Sequence, residues 1–278
     1  SLETLEYRGY DSAGIAYRNV NNELKIIKET GKIVNLKEKL DFNEESHLGI
    51  GHTRWATHGM VTDLNAHPFY GNRNKVAAVH NGIIENFQQL RADLQKEGVE
   101  FSSETDSEVI PNLVEKHYSG NLLDAVQKAL NEVIGTYALA ITCVDEPDKI
   151  VVAKRGGPLV IGLSDNAYYI ASDVNAIVGN TTRVIYLEDG DIVEVTKDGL
   201  KFPNVINNDY AKRVEEITIN AHETEKCGYE TYMEKEINEQ PESIERAFAG
   251  RIDMENATAK MSGFEDDIFK RTKKICCM

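Results

Sequence analysis

Thiols are scarce in this chain. Four cysteines (Cys143, Cys227, Cys276, Cys277) stand among 278 residues, and their spacing suits neither a disulfide framework nor a zinc knuckle, so a reduced, cytoplasmic setting is expected. No apolar run approaches the roughly 20 residues that a membrane-spanning helix requires, and the opening residues do not read as a basic-then-apolar leader. No membrane partner is expected. Positive charge is also short: 31 Lys and Arg against 46 Asp and Glu give a net charge of −15. A nucleic-acid partner would need clustered Lys and Arg, so that class is set aside. Prolines number only 6, and there is neither a low-complexity tract nor a repeat of fixed period. What remains is an ordinary globular composition, 41% hydrophobic and 28% charged, long enough for one large or two modest domains with a full core.

Hydrophobic patterning organises the chain. Residues 1–5 read as the last turns of a helix, followed by a polar, Gly-rich turn over residues 6–14. Strand-like runs over 13–17 and 24–29 precede a short helix at 33–40, and residues 48–51 form another small β-like run. Residues 75–80 read as a buried strand. Helices are expected over 83–97, stopping at Gly98, over 106–118 and over 122–133. Six strands follow, at 136–144, 149–154, 159–163, 168–171, 183–188 and 191–195, separated by Pro, Gly and Asp punctuation. Many strands with helices grouped between them imply two sheets with helices on their outer faces. The simplest closed form is an α+β four-layer αββα sandwich. One domain is expected over residues 1–203, its C-terminal part over 204–250, and a linker over 251–278. A long helix over 232–250 contains Pro241, which predicts a kink or break at Gln240.

The polar run His52-Thr-Arg-Trp-Ala-Thr-His-Gly59 carries the chemistry. A core strand would not be written with a guanidinium, two hydroxyls and two imidazoles, because each would need a buried partner. A solvated loop would not usually hold the only Trp. Arg54 offers a planar fork of donors that matches a carboxylate, and Thr57 and His58 lie just beyond it. Asp106, at the expected start of a helix, suits an ammonium. A cationic clamp and an anionic clamp together fit an α-amino acid. Asn81-Gly82, expected at a sharp strand-to-helix junction, offers a side-chain amide and a backbone N–H for a developing oxyanion. Each part also has a structural reading: Arg54 as a surface ion pair, Asn81-Gly82 as a turn, Asp106 as a helix N-cap. The histidines His52, His58, His67 and His80 match no metal-ligand spacing, and Tyr7 and Tyr10 are expected to be packing residues. No cofactor is expected.

Several strings in order resemble one family. They are Tyr7-Arg-Gly-Tyr-Asp-Ser-Ala-Gly14, His52–Gly59, Asn65-Ala-His-Pro68, Val79-His-Asn-Gly-Ile-Ile-Glu-Asn86, Ser103-Glu-Thr-Asp106, Pro158–Gly162, Ile170–Asp173 and Tyr186–Asp191. Together they resemble the glutaminase domain of glucosamine-6-phosphate synthases, class II glutamine amidotransferases with the N-terminal-nucleophile hydrolase fold. The resemblance implies L-glutamine as substrate, Asn81 and Gly82 as the oxyanion hole, and Arg54, Thr57 and His58 as holders of the α-carboxylate. It implies Asp106 with Gly82 at the α-amine, Arg8 and Gly9 in the turn that positions the nucleophile, and Trp55 in a loop that closes over the ligand. The nucleophile it implies is an N-terminal cysteine with its own α-amine as base.

The same resemblance frames what is expected to be missing. The nucleophilic cysteine and its strand would precede Ser1, and the partner isomerase domains would follow residue 278. The chain is therefore expected to be N-terminally truncated, to bind glutamine poorly and not to turn it over. The open sheet edge left behind predicts disordered loops near Arg8 and over 57–65, or a homodimer that covers the edge. A competing reading is a non-catalytic amino-acid-binding or regulatory module.

Overall fold

The computed structural model describes residues 2–21, 23–41, 43–56, 59–217, 228–248, 252–253 and 258–259. By internal contacts the chain divides into two units, Ser1–Thr224 and Glu225–Met278. The first holds every element that bears on the site.

Its centre is a six-stranded antiparallel sheet. In spatial order it runs β12 (Gly199–Lys201), β11 (Ile192–Thr196), β7 (Glu146–Arg155), β6 (Gly135–Cys143), β5 (Val76–Ile84) and β4 (Phe69–Tyr70). The middle strands are apolar almost without alternation because both faces are covered. Val76, Ala78, Ile84, Leu139, Ile141, Cys143, Val151 and Ala153 face one way, into the helices α3 (Phe87–Lys96), α4 (Val109–His117) and α5 (Leu122–Leu130). Ala77, Val79, Ala138, Ala140, Ile150 and Val152 face the other way, into a second layer of strands. Strand alternation delivers both sets from the same three strands.

That second layer is two separate sheets. One has β1 (Ser12–Asn19) at its centre, flanked by β2 (Leu24–Thr30) and β3 (Ser46–Arg54). The other runs β13 (Glu215–Glu216), β10 (Arg183–Tyr186), β8 (Val160–Leu163) and β9 (Tyr168–Ala171). Small clusters cover their outer faces. Ile33 and Leu36 of α2 (Ile33–Glu38) pack on Ala13. Ala176 and Ile177 pack on Val160, Ala171 and Val184, with Leu5 of α1 (Leu2–Leu5) against them. The result is helix, sheet, sheet, helix, with one thick and one thin helical layer: the αββα sandwich read from the sequence. In the second unit, α6 (Tyr232–Phe248) continues through Pro241 without a break, and β14 (Ile252–Asp253) pairs with β15 (Thr258–Ala259).

Three boundaries differ from the sequence reading, each for a physical reason. The helix expected from residue 83 starts at Phe87, because β5 stays paired with β6 as far as Ile84 opposite Gly135. Asn86 then leads the chain out: its Oδ1 accepts from Ile134 N (3.0 Å) and its Nδ2 donates to Glu132 O (2.8 Å). The helix expected from residue 106 starts at Val109, because Ser103–Ser107 form a turn around the Glu108 carboxylate. That carboxylate accepts from the backbone N–H groups of Ser102 (2.9 Å) and Ser103 (2.7 Å). Residues 48–51 belong to a longer strand, β3, whose polar composition hid it. The short strands β4 and β12 carried no readable pattern.

Candidate amino-acid site

A cavity of about 570 Å³ lies between β3 on one side and β9 on the other, above the middle of the six-stranded sheet. Its position follows from alternation. On β3, Ile50 faces the central sheet, so His52 and Arg54 face it too. On β5, Ala77 and Val79 face the opposite layer, so Asn81 does as well. The polar ends of the two strands therefore meet across the layers: His52 Nε2 lies 2.7 Å from Asn81 Oδ1. Asn81 and Gly82 sit inside β5 rather than at a strand-to-helix junction. Gly82 has φ +139°, and a Cβ there would lie 2.2 Å from Thr136 O, so only glycine fits.

Arg54, Trp55, Asn81, Gly82, Asp106 and Arg8 all line this one cavity. Arg54 is 4% exposed, and its guanidinium donates to Met60 O at 3.2 Å. Burial lowers its pKa, while the charges of Asp11 and Asp106 act to raise it. The surface ion-pair reading does not describe a residue this buried. Asp106 is 5% exposed and is not a helix N-cap: one oxygen accepts from Ile84 N (2.8 Å) and the other from Ser107 Oγ (3.2 Å). It thus ties the turn before α4 to the end of β5.

The rim is built from loops. Asn65 links two of them, donating to Met60 O (3.0 Å) and accepting from Glu104 N (2.9 Å). Trp55 is 57% exposed, its ring 5.5 Å from that of Tyr10. Tyr7 and Tyr10, expected to be packing residues, are half exposed, and Tyr10 packs against Trp55. Arg8 lies in a short turn over Glu6–Arg8 and pairs with Asp173 at 3.2 Å. Gly9 lies against β3, where a Cβ would come within 2.7 Å of Thr53 O. Thr57 and His58 lie outside the described residues, as does part of the 57–65 loop; its residues 59–65 are held by the Asn65 contacts.

The sequence reading missed three imidazoles as site residues: His67 and His80, both buried, and the half-buried His52. His52 and His67 stack with ring centroids 4.1 Å apart. His80 places Nδ1 2.8 Å from Ser107 Oγ, beside Asp106. Burial is the main cause lowering all three pKa values, that of His52 to about 4, so each ring is neutral near pH 7. The period-two alternation on β3 was the available signal for His52. Among the described residues no group of three His, Cys, Asp or Glu is arranged to hold a metal ion. Cys143 faces the helices, on the far side of the sheet from the cavity, and burial pushes its thiol pKa up.

Comparison with known proteins agrees with this geometry. Residues 37–216 match the family model described as a glutamine amidotransferase domain. The glutamine–fructose-6-phosphate aminotransferase (isomerizing) of Clostridium perfringens is 48% identical over 252 residues, covering 90% of this chain and 41% of that protein. The Aquifex aeolicus protein of the same name is 42% identical over 278 residues, covering 100% and 46%. The chain thus spans under half the length of these relatives. Among solved structures, the glutamine phosphoribosylpyrophosphate amidotransferase from B. subtilis complexed with ADP and GMP aligns with a TM-score of 0.61 at 28% identity, over 79% of this chain and 46% of that one. The chain belongs to the class II glutamine amidotransferase family, with the N-terminal-nucleophile hydrolase fold.

Proposed function

We propose that this family member binds L-glutamine in the cavity between β3 and β9. In the longer protein of which relatives are known, the domain would hydrolyse the side-chain amide to glutamate and ammonia. The ammonia would serve glucosamine 6-phosphate synthesis from fructose 6-phosphate on the isomerase domains. A sugar-phosphate acceptor is an intracellular metabolite, which supports a cytoplasmic setting. One observation carries the reading: a guanidinium, a carboxylate and the Asn81-Gly82 corner line a single cavity.

In this reading the Arg54 fork takes the α-carboxylate, with Thr57 and His58 adding donors. Asp106 takes the α-ammonium. Asn81 and Gly82 meet the oxyanion that forms when the amide carbon becomes tetrahedral, and low local dielectric strengthens that contact. Arg8 and Gly9 shape the turn that would place a nucleophile. Trp55, exposed at the rim, closes over the bound ligand.

Amide cleavage through a γ-glutamyl thioester requires a thiolate within reach of the amide carbon. Cys143 is on the wrong face of the sheet for that role. We further propose that the 278-residue chain binds glutamine weakly and releases no ammonia; Cys227, Cys276 and Cys277 lie outside the described residues. Calorimetry with L-glutamine, run beside an ammonia assay, tests both halves. Heat of binding without ammonia is the expected result. No binding would overturn the site, and ammonia release lost on Asn81→Ala would overturn the inactivity.

A further inference from the structure

We propose that His52 is a positioning residue that fixes the side-chain amide of Asn81 so that its N–H donors face the cavity. This deepens the amino-acid reading above and rests on it for the identity of the ligand.

His52 Nε2 and Asn81 Oδ1 are 2.7 Å apart, a full-strength contact between two strands that belong to different layers. Two arrangements could produce it. In one, Nε2–H donates to the amide oxygen. In the other the amide is turned over, so that its nitrogen donates to an unprotonated Nε2, and the imidazole proton sits on Nδ1. The surroundings of Nδ1 decide between them. That atom is buried and has no hydrogen-bond partner among the described residues. A proton there would be a buried N–H with nowhere to go, and such orphaned donors are rare and costly. A bare lone pair in the same place forfeits less. The proton therefore belongs on Nε2, and the oxygen of Asn81 belongs against it.

The consequence falls on the opposite branch of the amide. With Oδ1 engaged, Nδ2 is left as the donor end. Among the described residues no group takes it, and Asn81 is exposed at the cavity wall. A carbonyl or oxyanion in the cavity then meets N–H rather than C=O, the polarity an acyl-transfer site requires. The ring cannot easily swing away, because His67 stacks on it at 4.1 Å and Phe69 meets His67 edge-on at 4.6 Å. Burial keeps His52 neutral, with a pKa of about 4, so the tautomer holds across the neutral range.

Two measurements on the 278-residue chain test this. Nitrogen-15 NMR of the His52 ring is expected to show Nε2 protonated and Nδ1 bare, with no ligand needed; Nδ1 protonated would overturn the proposal outright. The second compares L-glutamate, whose δ-carboxylate presents oxygen to Asn81, with L-norvaline, which has no side-chain oxygen. His52→Phe keeps the stacking and removes the donor, and is expected to lower the glutamate-over-norvaline preference by about tenfold or more, the scale of one hydrogen bond to a charged group. His52→Gln, which restores a donor, is expected to recover most of it. Equal losses in both variants, or an unchanged preference in His52→Phe, would contradict the positioning role. A wild-type chain that binds neither amino acid would contradict the ligand reading instead, and the ring tautomer would still decide the orientation of Asn81.

Discussion

The two faces of the central sheet are made by the same strands and are built to opposite ends. On the helix side, β5, β6 and β7 present Val76, Ala78, Leu139, Ile141 and Val151 to α3, α4 and α5 in one apolar cluster. On the other side the same strands present Val79, Ala138, Ala140 and Ile150, and then Asn81, to a cavity with charges at its edge. Small side chains there leave the room that large ones fill behind the sheet. The closed face supplies stability, and the open face spends part of it on desolvated polar groups. This is the usual relation between a rigid core and the site it holds.

The contrast breaks most visibly if a filled position is emptied. Leu139 is fully buried on the helix side, so Leu139→Ala is expected to cost about 2–5 kcal/mol in denaturant unfolding. On the open face, acid should act in the same range. The native chain keeps His52, His67 and His80 neutral below their ordinary titration point. The unfolded chain takes up those protons as pH falls through about 6.5. It then binds more protons than the native state, so stability is complete above that pH and declines toward pH 4. His52 alone accounts for about 3 kcal/mol over that window. His67→Phe should flatten the decline in an unfolding series from pH 7 to 4, and an unchanged slope would show that the rings are not held neutral.

Arg54→Met is expected to weaken L-glutamine binding by about tenfold or more, the worth of a charge-assisted pair, with a smaller change in stability than Leu139→Ala. Trp55→Ala should be the gentlest. An exposed rim residue is expected to move unfolding by less than about 0.5 kcal/mol, while ligand dissociation speeds up if the ring closes over the site. A Trp55 variant that unfolds as readily as the Leu139 variant would erase the distinction between the faces.

Much of this was legible in the sequence, and the gaps have causes. Residues 75–80 were read as a buried strand, many strands with helices grouped between them gave the four-layer form, and eight ordered strings pointed to the family. Arg54, Trp55, Asn81, Gly82 and Asp106 were named from residue chemistry and resemblance, and the fold brings them to one cavity. The boundary at residues 83–86 was misplaced because Ile83 and Phe87 fit a helical period, whereas pairing with Gly135 and Thr136 decides the backbone. Local pattern cannot see a partner strand fifty residues away. His52 was passed over because a histidine in a polar string looks like any other. Its importance comes from Asn81, brought opposite it only when two layers stack.

Calorimetry with L-glutamine and two truncated analogues tests the central claim most directly. γ-Aminobutyramide lacks the α-carboxylate, and glutaramate lacks the α-amine. The account predicts that Arg54→Met weakens L-glutamine and glutaramate but leaves γ-aminobutyramide unchanged, and that Asp106→Asn weakens L-glutamine and γ-aminobutyramide but leaves glutaramate unchanged. Variants that weaken all three ligands alike would contradict it, because neither residue would then be reading its own end of the amino acid.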